Sequence, residues 1–102
     1  MNGIEKRLKA LRKKIDETDR KLIRELGVRQ HTVEKIGKLK AKSGMTAHQK
    51  SRWKEVIEAR LKLGKKAKLR DVFTEAVFNL IHSESLRIQE SIPEPKKKKV
   101  ES

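Results

Sequence analysis

The sequence predicts an all-α fold of three helices, long, short and medium in chain order. Two observations carry that expectation. Only 34% of the 102 residues are hydrophobic and 3% aromatic while 41% are charged, a balance that suits amphipathic helices better than strands rich in aromatic and β-branched residues. Apolar residues also recur every three or four positions along most of the chain, which is the period of one helix face.

From Ile4 the apolar stripe continues through Leu8, Leu11, Ile15, Leu22, Leu26, Val33 and Ile36, predicting one helix over residues 3–42. Gly27 and Gly37 each cost such a helix about 1 kcal/mol relative to alanine without breaking it. At ~1.5 Å per residue it would extend about 60 Å, longer than a compact domain of this size is wide. Its partner is therefore expected in a second chain. Ser43-Gly44-Met45-Thr46-Ala47 interrupts the period with a glycine and small polar residues, and a second helix is predicted over residues 48–63. Gly64 is expected to end it at the C′ position that favours glycine, ahead of a basic linker over residues 65–70. Val72, Phe73, Ala76, Val77, Leu80, Ile81 and Ile88 mark a third helix that ends near Ser91, before Pro93. A helical domain is thus expected over residues 1–92, with residues 93–102 as a disordered basic tail. The tail segment PKKKKV looks like a nuclear import signal, although a solubilising extension is the simpler reading of four lysines.

A chain this short forms one domain with a modest core, so oligomerisation is expected to contribute to stability. It has no cysteine and three scattered histidines, which argues against a disulfide framework and against a metal site. No apolar run reaches the length of a membrane span and the amino terminus leads into no signal-peptide core, so a soluble cytoplasmic protein is expected. The net charge of +14 allows a nucleic acid, an anionic membrane or an anionic small molecule as partner. Nucleic acid is disfavoured, because stacking aromatics are nearly absent and the distinctive cations fall on apolar faces.

Those cations are the informative residues. At 100° per residue Arg29 lies within about 40° of Ile15, Leu22, Ile36 and Lys40. Arg29 and Lys40 therefore share the apolar seam, where a lone charge is costly unless an anion meets it. Ion pairs with carboxylates of another helix, or long side chains snorkelling past the core, would also satisfy them. Arg52 falls on the line of Val56, Ala59 and Leu63, and Ser85 and Gln89 continue the face of Val77 and Ile81. The inward set holds several cations, an amide and a hydroxyl without an obvious carboxylate, which describes a pocket for a dianion. It offers no nucleophile paired with a base and no glycine loop for phosphate. Binding, or catalysis by orientation and electrostatics alone, is left.

The order and spacing of these residues resemble the all-α chorismate mutases over about residues 4–92. Leu11-Arg12-Lys13-Lys14-Ile15-Asp16 with Asp19, Leu22 and Ile23 is similar to the family's opening motif, and Ile36-Gly37-Lys38-Leu39-Lys40 resembles its (I/V)GxxK segment. Residues 81–89 resemble its IxxxSxxxQ ending. The resemblance implies an intertwined homodimer with shared active sites. In it Arg12 reaches the neighbouring subunit's site, Arg29 and Arg52 bind substrate, and Ser85 lies near a carboxylate. Lys40 and Gln89 would meet the ether oxygen. Arg12 lies about 100° round the helix from Arg29 and does not easily serve the same pocket. Where the family commonly carries an Asp and a hydroxyl-binding Glu, this sequence has Gln49 and Trp53. That variant resembles mutase domains associated with DAHP synthase, an aromatic-pathway enzyme and a possible partner.

The implied reaction is the Claisen rearrangement of chorismate to prephenate in phenylalanine and tyrosine biosynthesis, which needs no acid, base or cofactor. Arg29 and the partner's Arg12 would clamp the two carboxylates, with Gln49, Arg52 and Ser85 completing the binding set. Lys40 and Gln89 would stabilise charge on the ether oxygen as its C–O bond breaks. Two other readings share the scaffold: an isochorismate pyruvate lyase, and a non-catalytic module that binds and regulates an aromatic-pathway synthase. His82, one residue off the inward face, is read as structural.

Overall fold

The structure is a computed structural model, and it describes residues 2–93. The four tail lysines at 96–99 lie outside the described residues. Three helices follow in order: α1 over Gly3–Ser43, α2 over Lys50–Lys66 and α3 over Asp71–Glu90. Among the described residues there is no strand, and no helix is long and apolar enough to cross a membrane.

The chain divides into two compact units, residues 1–32 and 33–102. The described part of the first is a stretch of α1. Asn2 caps it, its Oδ1 accepting the Glu5 N–H at 2.8 Å, which satisfies one of the amides that a helix start leaves unpaired. Its apolar stripe has no cover within the unit: Ile4, Leu11, Ile15 and Leu22 are all more than half exposed.

The second unit holds the end of α1 and an α2–α3 hairpin. Gly44, with φ of 70°, turns the chain out of α1, and the Met45 N–H reaches back to the Lys40 carbonyl at 2.9 Å. A glycine in the left-handed region at C′ closes the helix in this way. The hairpin is antiparallel, since Gly64 near the end of α2 meets Thr74 near the start of α3 and Trp53 near the start of α2 stacks on His82. Between these contacts the Arg60 guanidinium lies 5.8 Å from the centroid of the Phe78 ring.

Gly64 does not end α2, contrary to the sequence expectation. It is buried inside the helix, and a Cβ built on it would stand 2.5 Å from Thr74 Oγ1 and 3.2 Å from Thr74 Cβ. The glycine serves close helix packing, and α2 runs on to Lys66. The left-handed C′ residue is instead Lys68, with φ of 61°. Its N–H bonds to the Lys65 carbonyl at 3.0 Å while the Leu69 N–H bonds to the Gly64 carbonyl at 2.9 Å, the paired hydrogen bonds of a Schellman ending. The basic linker is correspondingly shorter, covering residues 67–70. Gly37 is the matching device on α1: a Cβ there would lie 2.5 Å from Ile92 Cδ1 and 3.2 Å from Gln89 Cα. The missing side chain lets the end of α3 approach α1 within this unit.

Candidate active site

Where α3 meets the end of α1, Lys40 and Gln89 come together. Lys40 Nζ donates to Gln89 Oε1 at 2.9 Å and to the Ala47 carbonyl at 2.8 Å. Both acceptors are neutral, and partial burial holds the ammonium pKa below its usual 10.5 by desolvation. An ammonium only donates, so it fixes the Gln89 amide with its oxygen towards Lys40 and its NH2 away. That NH2 makes a long contact of 3.4 Å with the Ser85 carbonyl. Ser85 itself is buried, its hydroxyl donating to the Ile81 carbonyl at 2.7 Å.

A cleft of about 400 Å³ opens beside this pair, lined by Gly37, Lys40, Ala47, His48, Gln89 and Glu90 among others. Its polar side chains are the Lys40 ammonium, the Gln89 amide, the His48 imidazole, the Glu90 carboxylate and the Thr46 hydroxyl. Lys40 uses two of its three N–H groups on protein oxygens, leaving one for a ligand. Glu90 is the acidic group absent from the inward set read in the sequence.

The other expected residues are placed differently. Gln49 is the N-cap residue of α2 but makes no side-chain capping hydrogen bond. Arg52 does not line this cleft: it is exposed and pairs with Glu55 at 3.6 Å. In the first unit Arg12 is exposed, and the half-buried Arg29 donates from Nη1 to Gln30 Oε1 at 3.2 Å. Trp53 is half-buried against His82, with ring centroids 3.9 Å apart and planes 11° from parallel. His82 in turn stands 3.2 Å, Nε2 to Nδ1, from His48. This cluster escapes a reading by helix faces, because His48 precedes α2 and joins the cleft only through the loop. The one sequence signal for it was the aromatic residue at 53 in place of an acid.

Residues 11–90 match the family model of chorismate mutase type II. The chain belongs to the chorismate mutase type II family. The match takes in all seven residues singled out in the sequence, from Arg12 to Gln89, and spans all three helices. No curated protein matches the chain. As a chorismate mutase it is an isomerase that converts chorismate to prephenate, and the all-α architecture agrees with that membership. The substrate of such an enzyme is a dicarboxylate, and the Lys40 ammonium on the cleft wall has hydrogen-bond partners that carry no negative charge.

Proposed function

We propose that Lys40 and Gln89 form the catalytic centre of this chorismate mutase and that two copies of the chain complete each site. The half-buried Lys40 ammonium carries the reading, held by two neutral oxygens on the wall of a cleft. Such a cation is stabilised further by an incoming anion than by water. The rearrangement breaks the ether C–O bond and forms a C–C bond in one step without proton transfer, so the protein contributes conformer selection and charge stabilisation. The third Lys40 N–H and a hydrogen of the Gln89 NH2 would donate to the ether oxygen as negative charge grows there. The family resemblance assigns the rest of the substrate to Arg29, Arg52, Ser85 and Gln49, of which Arg52 pairs with Glu55 outside the cleft in the single chain, with Arg12 supplied by the second copy.

Dimerisation is supported by what a single chain leaves uncovered. Val33 and Val56 are the only buried hydrophobic side chains among the described residues, while Ile4, Leu11, Ile15 and Leu22 stay exposed in one stripe. Contiguous apolar surface of that kind marks an interface. The Gln49 and Trp53 pattern further supports a mutase that works beside a DAHP synthase, read out as a change in turnover when that enzyme is added.

The test is loss of chorismate absorbance with the purified chain. Lys40→Ala is expected to lower kcat/KM by two or more orders of magnitude, as for loss of a donor to a developing oxyanion, while circular dichroism keeps its helical signal. Near-normal turnover in that variant would remove Lys40 from the centre.

A further inference from the structure

The cleft contains three polar side chains outside the proposed substrate-binding set, Thr46, His48 and Glu90. His48 lies on its wall with Lys40 and Gln89, in the loop between α1 and α2. Its neighbour Ala47 accepts the Lys40 hydrogen bond, and its own carbonyl accepts the Thr46 hydroxyl at 3.1 Å. The backbone that carries the imidazole is thus tied to the lysine. The ring is tied as well: His48 Nδ1 is 3.2 Å from His82 Nε2, and His82 is stacked on Trp53. One indole therefore fixes one imidazole, which fixes the second at the cleft.

The proton count of this pair restricts what His48 presents. Two ring nitrogens in hydrogen-bond contact share one proton. If His82 Nε2 carries it, His48 Nδ1 is the acceptor, and a neutral His48 then has its hydrogen on Nε2. If His48 Nδ1 carries it and His48 is cationic, Nε2 again bears a hydrogen. Both of these states offer an Nε2–H donor, and an anion in the cleft favours both over the state in which Nε2 is a bare acceptor. Lys40 of α1 and Glu90 of α3 are the other ionisable groups of the cleft; α2 brings to the cluster the uncharged Trp53.

We propose that His48 is a substrate-binding residue of the cleft, donating from Nε2 to a substrate carboxylate, with His82 and Trp53 as its positioning residues. The proposal rests on the assignment of this cleft as the mutase site and names a specificity group within it.

Steady-state kinetics with chorismate between about pH 5.5 and 8.5, the span in which histidine charge commonly changes, tests it. In the wild type KM is expected to fall as pH is lowered across this window, because bound dianion favours the protonated pair. His48→Ala is expected to raise KM about tenfold with kcat changed less than threefold, the scale for losing one charge-assisted donor. His48→Gln keeps an N–H donor together with Lys40 and Glu90, so it should recover most of the KM while flattening its pH dependence. His82→Ala should raise KM by a smaller factor and also flatten it, which a purely packing role would not do. Trp53 is the only tryptophan, so its emission, quenched by a protonated imidazole stacked on it, gives a second readout. Its pH midpoint should move upward when prephenate is added. An active wild type whose KM and pH profile are unchanged by His48→Ala would overturn the proposal and leave the mutase site standing. A wild type without turnover would overturn both.

Discussion

Lys40 is the residue on which the proposed chemistry turns. Its ammonium is stabilised by oxygen dipoles rather than by a carboxylate, and burial lowers its pKa from 10.5. If protonated Lys40 is the donor to the ether oxygen, kcat/KM should fall on the alkaline side with a midpoint below 10.5, the ordinary lysine value. Substrate in place opposes that loss, because a bound dianion favours the ammonium, so the limb in kcat should lie at higher pH than the limb in kcat/KM. Both are read from one pH–rate series, and an alkaline limb at or above the ordinary value in kcat/KM would count against the role. Linkage has a definite sign here. The unfolded chain keeps its proton to higher pH than the folded one, so the desolvation cost is fully present below the lowered pKa and disappears as pH rises to 10.5. At this scale the sequence is informative about which polar residues a helix face turns inward. Lys40 and Gln89 were legible as polar residues at seam positions. His48 was not, because its place depends on contacts between residues 48, 53 and 82, which no local period encodes.

Helix ends and helix contacts were less legible than the helices themselves. α1 follows its apolar stripe to within a residue at its end, since a period kept over 41 residues leaves few alternatives. Gly64 departs from the sequence expectation because glycine has two uses that look alike in sequence: the left-handed C′ position, and close approach of another helix. Gly44 takes the first use and Gly64 the second. The result is that Lys68, a residue with a Cβ, holds the left-handed conformation. That conformation costs an L-residue roughly 1–2 kcal/mol. Lys68→Gly removes the strain but gives the unfolded chain more freedom, which works in the opposite direction. Relief of the strain is the larger effect, so the variant should be more stable by about 0.5–1 kcal/mol. Urea unfolding of the two proteins checks this, and a midpoint that moves down would show that the Lys68 side chain contributes contacts outweighing its backbone cost.

For the whole molecule the decisive question is whether one chain can make a site. Arg12 and Arg29 lie about 100° apart round the same helix, so one helix presents them in different directions. If each site takes Arg29 from one chain and Arg12 from the other, Arg12→Ala and Arg29→Ala homodimers both lack an arginine in every site. Unfolding the two variants together and refolding them lets chains exchange. In a mixed dimer one site then pairs the intact Arg29 of one chain with the intact Arg12 of the other, and the second site lacks both. Random pairing makes half the dimers mixed, so about a quarter of all sites regain both arginines. Turnover per site should rise to about 25% of wild type, from variant values near the assay floor. The same mixture without unfolding should stay inactive if the chains are intertwined, because exchange then requires the helices to separate. Sites built within single chains predict no gain under either treatment, since every chain in the mixture carries one of the two substitutions.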